Sequence, residues 1–200
     1  MAPLQDHSDD VVERFHPTSG QVTGWLAVVG SAVVVLVGLA YLDDGFPPWV
    51  VGLALLVGVL AWAAMLRPAL WATGEHLVMR NLVETVHIRL AAVEEMAVRQ
   101  VLAVRAADRR WVSTVVGRSW RKAVTARPSA SGEAREGMAY ADFVETRLYD
   151  LVDQARAAEG VRPGSKEQLA LPDAVRRTPD RLPIALLAAA TLVLVISIFL

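Results

Sequence analysis

The sequence predicts a membrane protein of mixed α and β structure. It has an N-terminal two-helix transmembrane hairpin, a middle region of antiparallel strands followed by one helix, and a third transmembrane helix at its C-terminus. Three observations lead to this prediction: three long uncharged apolar runs, a charge-rich middle that changes from alternating to helical hydrophobic periodicity, and basic residues concentrated in that middle. A chain of 200 residues that is 54% hydrophobic and only 20% charged is not typical of one soluble domain.

The apolar runs have the length of membrane spans. Residues 15–42, 45–66 and 182–200 contain no Asp, Glu, Lys or Arg. About 18 to 20 helical residues at 1.5 Å each cover the roughly 30 Å hydrocarbon core of a bilayer. A turn with Gly45, Pro47 and Pro48 separates the first two runs, which predicts a helical hairpin over residues 24–66. The third span is predicted at 182–200.

The distribution of charge predicts the orientation in the membrane. Residues 67–181 hold 19 of the 20 Lys and Arg residues against 15 acids. Because Lys and Arg near span ends stay on the cytoplasmic side, we expect this segment in the cytoplasm and the C-terminus outside. The acidic tail, residues 1–23, then also lies in the cytoplasm, and its composition predicts disorder.

Alternating polarity predicts strands in the first part of the middle region. The expected strands are 76–81, 84–90, 100–105 and 111–116, and residues 106–110 form a hairpin tip between the last two. Residues 122–137 are predicted to be a loop because they are rich in Ser, Gly, Pro, Ala and charge.

A helical period follows from 140 to 158. One apolar stripe contains Ala141, Val144, Leu148, Leu151, Val152 and Ala155. Gly160 and Pro163 end the helix, and the Pro- and Gly-containing residues 161–181 are predicted to be a flexible linker.

Several motifs of the middle region resemble a known family. The run RPALWATGEHLVMRN at 67–81, the polar strand that follows it, and LAAVEEMAV at 90–98 look like the bacterial PH-like domain of the low-molecular-weight protein antigen 6 type. The later YADFVETR at 140–147 is similar to the helical end of such proteins. The resemblance covers about residues 66–158. It implies a cytoplasmic PH-like roll of two antiparallel sheets with a C-terminal capping helix over residues 67–160, in a protein of high-GC bacteria.

The sequence predicts no catalytic, cofactor-binding or metal-ligating residue. There is no Cys, the four histidines lack a carboxylate at metal-ligand spacing, and no Gly-rich phosphate loop follows a strand. Glu94 and Glu95 form an acid pair that we interpret as a solvated turn. An enzyme would require these acids to converge with a histidine in a cleft.

A basic cluster with interleaved aromatic residues is the candidate binding site. Residues 67–127 hold 11 bases against 5 acids, whereas residues 133–160 hold 3 against 7. Guanidinium groups at strand ends suit lipid phosphates at the cytoplasmic leaflet, although bases beside a membrane also follow from the topology rule alone. The candidate contact residues are Arg109, Arg110, Arg118, Trp120, Arg121 and Lys122.

The sequence favours a non-catalytic binding or scaffold protein over an enzyme. Its candidate partners are anionic lipid headgroups, a membrane-protein partner or a second copy of the chain, and no recognition helix or aromatic pattern favours nucleic acid. The alternative is an accessory subunit of a larger membrane assembly, because three spans are few and carry small-residue pairs such as Ala185 and Ala189.

Overall fold

The computed structural model describes residues 11–18, 20–117 and 132–199, and of residues 132–139 the backbone only. These residues form two compact units. The sheet unit contains residues 11–18, 69–80, 86–117 and 132–177, and the helical unit contains residues 20–68, 81–85 and 178–199. The predicted mixture of helices and antiparallel sheet, with three helices long and apolar enough to cross a membrane, is confirmed.

The helical unit contains the three candidate spans. Helix α1 is Gln21–Ala40, and α2 is Pro48–Ala61, which continues as one π-helical turn at Trp62–Leu66. The helix at the C-terminal end, Arg181–Ile198, is α5 in chain order. Helix α2 contacts both α1 and α5. The close approach depends on small residues, since a Cβ atom at Gly38 would lie 2.5 Å from Val51 Cγ2 of α2.

A five-stranded sheet has the order β1-β2-β3-β4-β8. Its strands are β1 Val11–Phe15, β2 Ala69–Thr73, β3 His76–Arg80, β4 Glu84–Arg89 and β8 Val175–Pro179. Strand β2 pairs antiparallel with β1 on one side and with β3 on the other. At the far edge the Arg89 N–H donates to the Ala174 carbonyl at 3.0 Å, and the Asp180 N–H donates to the Val83 carbonyl at 2.8 Å. These bonds show that β8 runs antiparallel to β4.

A three-stranded antiparallel sheet has the order β5-β6-β7. Strand β5 is Glu95–Val98, β6 is Leu102–Ala106 and β7 is Arg109–Ser113. A 3-10 turn at Leu90–Ala92 precedes β5.

One hydrophobic core joins the inward faces of both sheets to α3, Gly132–Glu159. The predicted apolar stripe of this helix is confirmed, because all six of its residues are buried. At the N-terminal edge of the fold, Arg147 of α3 binds Glu13 of β1 at 2.6 Å. This hydrogen bond, followed by the charge of Glu13, raises the pKa of Arg147 above its ordinary value.

Both flanks of the predicted soluble domain differ from their sequence-based description. Within the tail expected to be disordered, residues 11–15 form β1, and α1 begins at Gln21. Within the expected flexible linker at 161–181, Lys166–Leu169 forms the short helix α4 and Val175–Pro179 forms β8. Both segments contribute to the sheet unit because each buries at least one residue: Phe15 is 5% exposed and Gln168 is 2% exposed.

The boundaries of other elements also shift. The strands expected at 100–105 and 111–116 lie at 102–106 and 109–113. Helix α3 begins at Gly132, so residues 132–137 of the expected loop are helical, while residues 122–131 of that loop lie outside the described residues.

Candidate functional site

The structure describes part of the predicted basic cluster. Arg109 and Arg110 begin β7, and both are exposed. Arg118, Trp120, Arg121 and Lys122 lie outside the described residues.

The register of β5, β6 and β7 produces an ordered outward face. Glu95, Arg105 and Arg110 lie directly opposite one another in one cross-strand row. Neighbouring strand positions on the same face are two residues apart, so the next row contains Ala97, Ala103 and Val112. Arg99 continues the same face beyond the end of β5. We call this surface, with Arg109, the arginine face: Ala97, Arg99, Ala103, Arg105, Arg109, Arg110 and Val112. The register pairs Arg109 with Ala106 and so places it on the opposite side of β7, but at the hairpin end it is exposed and lines the same depression.

The hairpin tip places Arg109 and Arg110 at one end of the arginine face. Ala107 and Asp108 have φ values of 53° and 57°, as expected for the two central residues of a tight I′ hairpin turn. The Asp108 N–H donates to Glu94 Oε1 at 3.3 Å, while Glu94 Oε2 accepts from Arg105 Nε at 3.2 Å. Glu94 therefore organises the turn and neutralises one of the four arginines.

The remaining arginines retain unused donors. Among the residues that the structure describes, Arg99, Arg109 and Arg110 form no ion pair, and all three are exposed. Each guanidinium is a planar donor suited to two oxygens of a carboxylate or phosphate. The face can therefore offer guanidinium donors to anions at both of its ends, from Arg109 and Arg110 at the hairpin tip and from Arg99 beyond the end of β5.

A shallow depression of about 760 Å³ lies over this face. Its lining combines the four arginines and Gln100 with two carboxylates and five apolar residues: Glu95 and Asp108, and Met96, Ala97, Val101, Ala103 and Val104. A ligand with anionic oxygens and a compact apolar part fits this mixture of basic and apolar residues.

Trp111 does not belong to the exposed cluster. It lies opposite the buried Val104, packs against the hydrophobic core and donates from Nε1 to the Ala106 carbonyl at 3.2 Å. The guanidinium of Arg177 lies 5.6 Å from the centre of its ring. The Trp111 side chain therefore lies on the side of β7 that faces the hydrophobic core.

The two members of the acid pair, Glu94 and Glu95, have different environments. Glu94 binds Arg105 and the hairpin turn, and Glu95 is exposed in the row opposite Arg105. Within residues 11–18, 20–117 and 132–199, no group of three or more His, Asp or Glu side chains is arranged to hold a metal ion.

Sequence reasoning missed Arg99 and Arg105 as members of the site. They are separated from Arg110 in the sequence, and only the strand register brings Arg105 opposite it. The signal was present in β6, where Ala103 and Arg105 alternate with the buried Leu102, Val104 and Ala106.

Comparison with family models, with curated proteins and with solved structures finds no match to this chain.

Proposed function

We propose that this chain is a non-catalytic binding protein anchored in the bacterial cytoplasmic membrane. Its PH-like domain holds an anionic lipid headgroup or an acidic partner protein at the cytoplasmic leaflet, through the arginine face. The observation that carries the proposal is the set of three exposed arginines, Arg99, Arg109 and Arg110, that form no ion pair among the described residues.

Strand pairing supports the proposed topology. Strand β1 precedes α1, and its partner β2 follows α2. Two paired strands occupy the same side of a bilayer, so an even number of spans separates them, as in the hairpin α1–α2. The excess of Lys and Arg in the middle region favours the cytoplasm as that side.

Short connections support a role at the membrane. Residues 16–20 join β1 to α1, residues 67 and 68 join the π turn to β2, and Asp180 alone joins β8 to α5. A domain that is joined to three candidate spans by such short segments stays near the lipid headgroups. An anion site of modest intrinsic affinity then suffices, because tethering raises the effective concentration of the ligand.

The composition of the sheet unit supports a PH-like roll. Two antiparallel sheets share one core with a helix that follows the last strand of the second sheet. This arrangement supports the PH-like roll that the family resemblance implies.

Lipid retention by the full chain tests the proposal. The protein is reconstituted into nanodiscs of phosphatidylcholine containing a minority of phosphatidylglycerol, and native mass spectrometry counts the retained anionic lipids. We expect the triple variant Arg99→Gln/Arg109→Gln/Arg110→Gln to retain fewer of them, because each base near the surface contributes about 1 kcal/mol of attraction. Retention by the parent should also fall with added salt.

A matched variant controls for net charge. Arg14, Arg162 and Lys166 are exposed elsewhere on the sheet unit, and changing all three to Gln removes the same charge. This variant should retain phosphatidylglycerol as the parent does. Equal retention by the parent and both variants would contradict the lipid proposal, and crosslinking in native membranes would then identify a protein bound to the arginine face.

An accessory subunit of a larger membrane assembly is the second candidate. Ala185 and Ala189 favour it because they remain exposed on α5, whereas Pro183, Ala190 and Ser197 are buried. A small-residue face that is exposed among the described residues allows close approach of a further helix. The size of the complex extracted from native membranes in mild detergent distinguishes this role from that of a monomer.

A further inference from the structure

A polar cluster lies where the candidate span α2 ends and the candidate span α5 begins. Arg67 follows the π turn, and its N–H donates to the Trp62 carbonyl at 3.0 Å, the five-residue spacing that defines a π-helix. Its guanidinium lies 6.0 Å from the centre of the Trp62 ring. The Arg67 side chain is only 11% exposed.

Arg67 connects three separate parts of the helical unit. Its Nη2 atom binds Asp180 Oδ2 at 2.9 Å, and its Nη1 atom donates to the carbonyls of Asn81 and Leu82 at 3.3 and 3.4 Å. One side chain thus joins the end of α2, the turn between β3 and β4, and the residue that precedes α5.

Asp180 completes the same cluster from the other side. Its N–H donates to the Val83 carbonyl at 2.8 Å, and its Oδ2 accepts from Thr85 Oγ1 at 3.0 Å. All of these residues belong to the helical unit.

The carboxylate of Asp180 serves this cluster in place of its own helix. Asp180 occupies the N-cap position of α5 but makes no side-chain cap hydrogen bond, although Asp is among the best N-cap residues. The carboxylate is used instead by Arg67 and Thr85. The Asp180 carboxylate therefore does not stabilise the first turn of α5. It binds residues that are distant in the sequence instead.

Partial burial makes the Arg67–Asp180 pair differ from an ordinary surface ion pair. The two side chains are 11% and 22% exposed, and both make further hydrogen bonds. Removing one partner leaves the other charge desolvated and unpaired, which destabilises far more than the loss of an exposed pair.

We propose that Arg67 and Asp180 form a latch that holds α5 beside α2 through the turn between β3 and β4. Helix α5 is joined to β8 by Asp180 alone, so the latch acts at the point where the helix is connected. The turn supplies three carbonyls to the latch, and β4 supplies the hydroxyl of Thr85; α5 therefore takes its place only when that turn has formed. This proposal does not depend on the identity of the ligand.

Spin-label distances in the full chain test the latch. The natural sequence contains no Cys, so introduced cysteines are labelled specifically. Leu53 of α2, Val195 of α5 and Val33 of α1 are exposed on their helices, and labels at 53 and 195 report on α2 and α5, whereas labels at 33 and 53 report on α1 and α2. Electron–electron distance measurements are made in nanodiscs.

The latch predicts a selective loss of order. The parent should give one narrow distance for each pair. Arg67→Gln, Asp180→Asn and the milder Thr85→Val should each broaden the 53–195 distribution and leave the 33–53 distance narrow. The double variant Arg67→Gln/Asp180→Asn should be no broader than the singles, because both changes break the same contact.

Glu159→Gln provides a matched control. It breaks the partly buried Arg89–Glu159 pair of the sheet unit, 2.9 Å in length and with side chains 29% and 23% exposed, and should leave both distances unchanged. A narrow 53–195 distance in all latch variants would overturn the proposal. Broadening of both pairs would also overturn it, because the ion pair would then support the whole helical unit instead of α5.

Discussion

At the scale of single residues, one buried amide fastens the segment after α3 to the core. Gln168 of α4 donates from Nε2 to the carbonyls of Ala91 and Val93 at 3.0 and 2.9 Å, and its Oε1 accepts from the Gly164 N–H at 2.7 Å. The Val93 carbonyl has a second donor, Arg156 Nη2 at 2.6 Å, whereas Gln168 is the side chain that serves Ala91. A polar side chain that is 2% exposed is tolerated here because all of its groups are bonded.

Replacing this amide should destabilise the sheet unit. We expect Gln168→Leu to cost about 2 kcal/mol, because the Ala91 carbonyl and the Gly164 N–H lose their partners. Urea unfolding of the full chain in detergent, followed by near-ultraviolet circular dichroism, measures the change. The exposed neighbour substitution Lys166→Gln should stay within about 0.5 kcal/mol of the parent. Equal effects of the two changes would show that the amide bonds contribute nothing.

At the scale of elements, two of the candidate spans, α1 and α5, carry small residues, and one proline, at heptad spacing. Gly24, Ser31 and Gly38 recur every seven residues on α1, and each contacts α2 or its π turn. On α5, the buried Pro183, Ala190 and Ser197 repeat the same interval. Such spacing is typical of left-handed helix pairs. It allows α2 to contact a helix on each side.

Filling one of these contacts should separate α2 from α5. A Cβ atom at Gly52 would lie 2.7 Å from Leu194 Cα, which is backbone and cannot turn aside. We expect Gly52→Ala to destabilise the helical unit by about 1 to 3 kcal/mol. Gly30 of α1 has no atom within 4 Å of such a Cβ, so Gly30→Ala is the control and should be neutral or slightly stabilising, by up to about 1 kcal/mol. Titration with sodium dodecyl sulfate, followed by far-ultraviolet circular dichroism, compares the two. Equal stability of both variants would contradict close packing at Gly52.

The length of its sequence signal decides whether an element could be predicted. The spans and the apolar stripe of α3 follow from uncharged runs and a helical period, which are long signals. Strands β1 and β8 were missed because they are short edge strands. Their charged residues and Pro179, which discourage pairing with other chains, are also the features of a loop.

The arginine face could be predicted only in part, for a related reason. Arg109 and Arg110 are adjacent in the sequence, and their charge alone was enough to predict them as members of a basic cluster. Arg99 and Arg105 required the register of two hairpins, which composition does not encode. Trp111 follows the same two arginines, and a single aromatic residue in that position gives no sign of which face of the strand it occupies.

At the scale of the whole molecule, the sheet unit is assembled from separated stretches of the chain. Strand β1 precedes the first spans, β8 immediately precedes the last one, and both are edges of the same sheet. Phe15 and Gln168, from these outlying stretches, are buried in the unit. A fragment cut at the sequence-based boundaries 67–160 therefore lacks both edges.

Fragment length should control the stability of the isolated sheet unit. We expect the fragment 67–180, which includes Gln168 and β8, to unfold at a higher temperature than 67–160. The amide hydrogens of β4 should exchange more slowly in the longer fragment, because β8 covers their edge. Hydrogen exchange with mass spectrometry makes this comparison. Equal protection of β4 in both fragments would contradict the contribution of residues 161–180.

The pairing of β1 with β2 has a consequence for biosynthesis. The ribosome releases Val11–Phe15 before α1, and the partner strand Ala69–Thr73 emerges only after α2. In the proposed topology, the first strand has no partner until both helices have been inserted into the bilayer. If only one of these helices is inserted, the bilayer separates the two strands, and the sheet cannot close. In the proposed topology, closure of the sheet therefore requires both helices to be inserted, and a chain in which closure fails keeps an unpaired strand edge.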